Sequence, residues 1–366
     1  MSEGPAQPKR ATFDLAALDD DARRVYHGLK LVERWVEEHC YEGYEPFDGL
    51  TTPLRRFTRG NLLLDRLLVQ AVRQSPINLR PLLGITPLPS TKGRGYMASG
   101  YLALYRLNGD AEKREKAVDC LEWLMGHRSP RFEEYSWANH FDFASRAGRY
   151  SKDESIIVWS ALIGQAFLDG YELLGDRRYL DVAESVCRWI LALPRERTPS
   201  GACLSYHMLG QLSIHNANML GAALLSRTWR HSGIDDYLEV ASSAMQYSCL
   251  RQRPDGSWLY GEEARYHWID SFHTAYNLDS LKCFLENGGS VTFRPHLDRG
   301  FDYFKTTFFE ASGRPRYYHQ RAQPIDIQCA AQGIATLATF SDHGDDVLPL
   351  AMMVARWTIR HMQDPK

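Results

Sequence analysis

The run His267-Trp268-Ile269-Asp270-Ser271-Phe272-His273, followed by Tyr276-Asn277, gathers acid–base and hydrogen-bonding groups at close spacing. His267, Asp270 and His273 step by three, so a helix carries them along a slowly drifting face, with Asn277 one turn beyond His273. Polar groups on an otherwise apolar helix need partners or a ligand. Histidine, carboxylate and tyrosine together are the side chains of proton transfer. Comparable groups recur elsewhere: Trp137-Ala138-Asn139-His140-Phe141-Asp142 with Arg146, and His215-Asn216-Ala217-Asn218. Arg94, Tyr317 and Asp326 stand at similar positions, each next to the start of an apolar helical stretch. The acid–base candidates are His140, His215, His267, Asp270, His273 and Tyr276. The binding candidates are Arg94, Trp137, Asn139, Asp142, Arg146, Asn216, Asn218, Trp258, Tyr260, Glu263, Trp268, Asn277, Tyr317 and Asp326.

Two further chemistries are testable on these residues. A metal could bridge His267, Asp270 and His273, but their spacing is not the HxxxH pattern that holds zinc and no cysteine lies near, so no metal or cofactor is expected. Glycoside hydrolysis needs two carboxylates about 6.5–9.5 Å apart for inversion. Asp142, Asp270, Glu262, Glu263 and Asp326 are the acids that different loops could supply. In the loop 251–266, Asp255-Gly256 signals a turn, and Trp258 and Tyr260 alternate as in an extended segment. Aromatic rings there suit either stacking on a sugar face or plugging the gap between helices.

These residues must be positioned by a repeating scaffold. Glycine-containing turns at Gly109, Gly175, Gly233, Gly288 and Gly344 recur every 55–66 positions, each between two helix-like stretches. The connections between these tight turns are long, at 128–154, 194–214, 251–266 and 308–323, and they carry most of the candidate residues. Twelve helices are predicted, at about 16–39, 60–75, 95–107, 111–127, 155–174, 177–193, 215–231, 235–250, 267–287, 291–307, 324–340 and 345–362. The segment 155–174 is apolar nearly all round, whereas 177–193 has one apolar stripe through Val182, Val186, Trp189 and Ile190. A helix of the first kind is buried on every side and one of the second faces water. One inner and one outer helix per hairpin, six times over, is an all-α (α/α)6 toroid, with inner helices at 155–174, 215–231, 267–287 and 324–340. The first hairpin fits two ways: 16–39 paired with 60–75, or 16–39 outside, closing the ring, with 60–75 inside. Short and long connections alternate, so the long loops share one end, where function concentrates on a rigid scaffold.

Composition bounds the partners. A hydrophobic fraction of 44% supports a large core, and a net charge of −2 gives no general attraction to nucleic acid or an anionic membrane. No apolar run reaches the roughly 20 residues that span a bilayer, so no membrane insertion is expected. Met1–Arg10 is polar and lacks the apolar stretch of a secretory signal. Seven scattered cysteines without a CxxC pair suit a reduced, cytoplasmic protein. The expected organisation is a disordered tail at 1–15 and a single toroid domain at 16–366.

The helical count and the functional groups at inner-helix starts resemble the α/α-toroid proteins: six-hairpin glycosidases, toroid uronate lyases, glucuronyl C5-epimerase domains and terpene cyclases. The resemblance covers about residues 16–362. Gln252-Arg253-Pro254-Asp255-Gly256-Ser257-Trp258 matches the Q-x3-G-x-W repeat of terpene cyclases, but it occurs once and no D-x-D-D acid motif accompanies it. The toroid uronate lyases resemble the chain more closely in chemistry. Their pattern, an amide that neutralises the sugar carboxylate beside His and Tyr proton carriers, is matched by Asn139, His140 and Arg146, by His215 and Asn216, and by Tyr276 with Asn277. The resemblance implies a carbohydrate-active lyase, C5-epimerase or glycoside hydrolase acting on an oligosaccharide or polysaccharide in glycan biosynthesis or processing. A non-catalytic glycan-binding or assembly protein would keep the aromatic rim without a tuned acid or base.

Overall fold

The computed structural model describes residues 14–145 and 148–364. Arg146 and nearly all of the expected tail lie outside the described residues. Asp14 and Leu15 are already structured, since the Asp14 side chain accepts from Ala16 N at 2.9 Å and caps a 3-10 turn, Leu15–Ala17. Twelve α-helices follow among the described residues: α1 Asp20–Glu38, α2 Leu62–Gln74, α3 Thr91–Asn108, α4 Ala111–Gly126, α5 Ile157–Leu174, α6 Arg177–Leu191, α7 His215–Ser232, α8 Asp235–Cys249, α9 Ser271–Glu286, α10 Arg294–Thr307, α11 Ile327–Thr339 and α12 Val347–Met362. Strands are confined to three antiparallel pairs in the connections: β1 Glu42–Gly43 with β2 Leu88–Pro89, β3 Phe143–Ser145 with β4 Gly148–Tyr150, and β5 Arg195–Thr198 with β6 Gly201–Leu204.

Five regular hairpins run from α3/α4 to α11/α12. The tight turns end α3, α5 and α7 in the left-handed conformation, at Gly109 (φ 72°), Gly175 (φ 75°) and Gly233 (φ 68°), which glycine adopts without a Cβ penalty. Each inner helix packs on the next, α3 on α5, α5 on α7, α7 on α9 and α9 on α11, with α4, α6, α8, α10 and α12 outside. Burial follows the pattern read from sequence. In α5, Ile157, Ala161, Ile163, Ala166, Phe167 and Leu168 are buried around the circumference, and α6 buries Val182, Val186, Trp189 and Ile190 on one side. Close approach of α5 and α7 relies on glycine: a Cβ at Gly221 would stand 2.5 Å from Ile157 Cδ1. One continuous core joins these hairpins.

The first hairpin is split. α1 lies against α12, with Gly28 facing Ile359 and Gln363, and it reaches α4 through Glu33–Lys113 at 2.5 Å and Glu37–Lys116 at 2.5 Å. It therefore closes the outer layer between the last and first regular hairpins. α2 takes neither place foreseen for it. It packs on the Asp48–Thr51 turn and on β3, so closely that a Cβ on Gly49 would touch the Val69 backbone at 2.9 Å. The connection 41–58 runs to the long-loop end, where Glu45 meets Ser90 and Lys92 at the start of α3. Among the described residues no helix is long and apolar enough to cross a membrane.

Candidate active site

Asp270 terminates the preceding loop and starts α9. Its backbone is extended (φ −133°, ψ 161°) and its Oδ1 accepts from His273 N at 2.8 Å, as an N-cap does. Its Oδ2 accepts from His273 Nδ1 at 2.7 Å and from Trp268 Nε1 at 2.9 Å. Burial pushes this carboxyl up, but the His273 charge, these hydrogen bonds and the backbone donor outweigh it and hold it below the usual carboxylate range. An ionised Asp270 fixes the Nδ1–H form of His273 and leaves the Nε2 lone pair available on a ring that is 22% exposed.

Aromatic rings frame the dyad. Tyr260 stacks on Trp268 at 4.4 Å and touches the His273 ring at 4.4 Å, held there because Tyr260 N donates to Trp268 O. Tyr276, one turn along from His273, hydrogen-bonds Tyr96 of α3 across the ring, so the two phenols link α9 to α3. Tyr317 lies on the next loop, where its carbonyl accepts from Ser271 N at 2.9 Å, and burial and the nearby Asp270 charge push its hydroxyl up. Beside Trp268 opens a shallow cleft of about 390 Å³ lined by His267, Trp268, Ile269, Tyr318, His319 and Arg321, and neither Asp270 nor His273 lines it. His319 Nδ1 bonds Ile269 O at 3.2 Å and His267 Nε2 bonds Glu262 O at 3.0 Å.

Several buried polar atoms around the inner-helix starts have no protein partner: Asn216 Oδ1, Asn277 Oδ1, Tyr150 OH and Tyr266 OH. Buried polar atoms are usually paired, and these four are open to water or a ligand. Tyr150, Tyr206, His207 and Tyr266, none of them singled out from the sequence, belong to this region. Tyr206 and Tyr266 sit within electrostatic reach of Tyr260, and His207 packs on Tyr150 at 5.3 Å. Burial pushes Tyr150 up to about 12 and lowers His207. Their loops carry little periodicity, but aromatic residues in the 194–214 connection were a usable signal.

The remaining candidates divide. His140 lies on another side of the mouth, within reach of the Glu45–Lys92 pair, with its Nε2 buried and unpartnered and its pKa lowered by burial. Asn139 is buried beside it. Asp142 is engaged by Arg55 at 2.5 Å and by Lys152 N at 2.6 Å. His215 points away from the lumen, its Nδ1 on Ser248 at 3.0 Å and its Nε2 on Glu262 at 2.7 Å. Asn218 is fully used, accepting from Leu204 N and donating to Ala244 O and Ser248 Oγ. Trp137 is wholly buried, donating to Leu124 O and stacking on Phe167. Trp258 fills the space against Gly300 and donates to Ser248 O at 2.9 Å. Arg94 packs outward over the Tyr41 and Trp123 rings. Glu263 is exposed and pairs with Arg265, and Asp326 caps α11 through Gln328 N. For His215, Asn218 and Arg94 the reason is common: a helix start radiates side chains in every direction, and only the lumen-facing ones reach a ligand; Trp137 and Trp258 lie in the long connections and are buried as core against Phe167 and Gly300. Among the described residues no group of three His, Cys, Asp or Glu is arranged to hold a metal ion.

No protein-family model matches the chain, and no curated protein matches it. Solved structures do. A sugar epimerase from a ruminal bacterium superposes with a TM-score of 0.59 at 12% identity, over 77% of this chain and 79% of that one. A D-mannose isomerase gives 0.58 at 13% identity over 75% and 77%. A GH76 alpha-mannanase from Bacteroides thetaiotaomicron gives 0.56 at 9% identity over 74% and 73%. The fold is that of the (α/α)6 toroids.

Proposed function

We propose that this chain is a carbohydrate-active enzyme that moves a proton at a sugar carbon next to a carbonyl or carboxylate, giving epimerisation or isomerisation. The observation that carries the reading is the Asp270–His273 pair: a buried carboxylate orients, through Nδ1, an imidazole that is itself partly exposed at the start of α9. In its unprotonated form an imidazole oriented in this way can take a carbon-bound proton, and the resulting negative charge needs nearby hydrogen-bond donors. The phenols of Tyr317 and Tyr276, kept protonated by burial, are donors of that kind. The toroids that superpose on this chain include a sugar epimerase and a mannose isomerase, which supports a sugar as substrate.

Hydrolysis fits the carboxylates less well. Asp270 spends both oxygens on protein donors, Asp142 and Glu262 are committed to Arg55 and to His215 with Arg251, and Asp326 caps a helix. The acid held protonated towards neutrality, Asp279, whose carboxyl burial raises to about 7, lies one turn deeper than Tyr276. Incubation with mannose, glucose, cellobiose and oligouronates in heavy water tests the proposal. Deuterium entering the carbon beside the carbonyl or carboxylate without chain cleavage is expected, and a product absorbing in the ultraviolet would move the chemistry to elimination. New reducing ends without exchange would overturn it in favour of hydrolysis, and tight binding with no product would make the chain a glycan-binding protein.

A further inference from the structure

The long-loop end carries a surface that the sugar chemistry does not use. On α2, Leu63, Leu64 and Leu67 are 62%, 45% and 58% exposed, and Leu63, Leu67 and Ala71 fall on one face at i, i+4 and i+8. The opposite face, Asp65, Val69 and Val72, is the one that packs on the protein. Just ahead of the helix, Phe57 is 65% exposed. A contiguous apolar face of this kind on a surface helix marks an interaction site.

Charge selects the partner. Residues 54–84 contain six arginines and a single acid, Asp65, in a chain whose net charge is −2. Asp65 is buried and neutralised by Arg149, while Arg55 and Arg80 pair with Asp142 and Asp48. Arg56, Arg59, Arg66 and Arg73 have no carboxylate partner among the described residues, though Arg56 lies over the Phe57 ring and Arg73 over the Phe47 ring, and on α2 Arg66 and Arg73 stand beside the leucine face. We propose that α2 docks on an anionic lipid surface, lying in the plane of the interface with its leucines towards the acyl chains and its arginines on the headgroups. Apolar side chains on one face with arginines beside them are the features of interfacial helices, and the long arginine side chain reaches headgroups while its stem stays apolar. A second copy fits less well, because a two-fold contact would set these unpaired arginines against themselves with no exposed acid in the patch to offset them. α2 rests on the β3–β4 hairpin through Arg149, which also donates to Gly60 O at 2.9 Å, and this hairpin follows His140. Docking would hold the mouth of the toroid beside the lipid surface.

The test uses the full chain with phosphatidylcholine vesicles, with and without phosphatidylserine, read by co-sedimentation, and it is independent of the sugar reading. Binding to the anionic vesicles at low ionic strength is expected, weakened about tenfold or more in molar salt, where charges are screened beyond about 3 Å. Both Leu63→Gln/Leu67→Gln and Arg59→Gln/Arg66→Gln/Arg73→Gln should lose at least about tenfold in binding. These positions are exposed or partly exposed and Arg73 contributes a ring contact with Phe47, so the fold, checked by near-ultraviolet circular dichroism, should be kept. Absence of binding to anionic vesicles, or equal binding by the variants, overturns the proposal. A concentration-dependent dimer without vesicles, dissolved by Leu63→Gln/Leu67→Gln and accompanied by no lipid binding, also overturns it and assigns the face to a second copy.

Discussion

At the level of single residues, Asp270 has two duties that one substitution can separate. Asn is as good an N-cap as Asp, so Asp270→Asn should keep the start of α9 and shift the melting temperature little. It would remove the negative charge that fixes the His273 tautomer, and turnover on whichever sugar shows exchange should fall by about 10²–10⁴. His273→Gln should fall by a similar factor with folding intact, because the ring is already partly exposed. A variant that loses stability but keeps turnover would make the pair a structural network. Asn218 gives the opposite expectation. Asn218→Ala leaves the buried Leu204 N without its acceptor, so urea unfolding should show a loss of about 1–3 kcal/mol while turnover per folded molecule is unchanged. The sequence located both residues at inner-helix starts. It could not distinguish them, because which way a side chain points depends on the crossing of α7 and α8, a tertiary fact absent from local spacing.

Helices and turns were far more legible than individual side chains. The glycine turns at 109, 175 and 233 are left-handed caps, and the all-apolar stretches became inner helices, because both signals report local backbone or burial requirements. The run Gln252–Trp258 shows what such a signal can conceal. Its resemblance to a terpene-cyclase repeat raised a chemical reading, yet here it ties outer helices together: Gln252 Nε2 donates to His296 O and Gly256 O, and Trp258 wedges against Gly300. Gly256 has φ +91° and a Cβ there would stand 2.3 Å from the Arg299 carbonyl oxygen. Gly256→Ala therefore combines backbone strain with a collision against backbone, and a loss of about 2–4 kcal/mol is expected in denaturant unfolding. Trp258→Ala should cost about 3–5 kcal/mol by leaving a cavity between α8 and α10. Sugar exchange by the surviving folded fraction should be unaffected by either change, and a selective loss of turnover in Trp258→Ala would return this residue to the binding site.

For the whole molecule, the ring was readable where hairpins repeat and unreadable where they do not. The first pair lacks a glycine turn, and the path of α2 is decided by Gly49 meeting Val69 and by Arg149 meeting buried Asp65, contacts far apart in sequence. Interior electrostatics add a property of the assembled ring that composition cannot supply. Asp279 faces α11, bonded to Gln332 at 2.8 Å and Thr336 at 2.9 Å, with its Oδ1 buried and unpartnered. Burial pushes its carboxyl up to about 7, against the pull of these two donors and of Lys282. A carboxyl raised in the folded state keeps a proton that the unfolded chain releases near pH 4, so the native state binds more protons between about pH 4 and 7. Stability must then fall as pH rises through that window and level off above it. His140 and His207, held neutral by burial, slope the other way, since they take up protons more readily when unfolded. The discriminating measurement is the difference in melting temperature between wild type and Asp279→Asn from pH 5 to 8. The amide keeps an acceptor for Gln332 and Thr336 but carries no charge, so the variant should gain on the wild type as pH rises, with the gap largest above pH 7. A gap that stays constant with pH would mean that Asp279 is ionised in the native ring throughout.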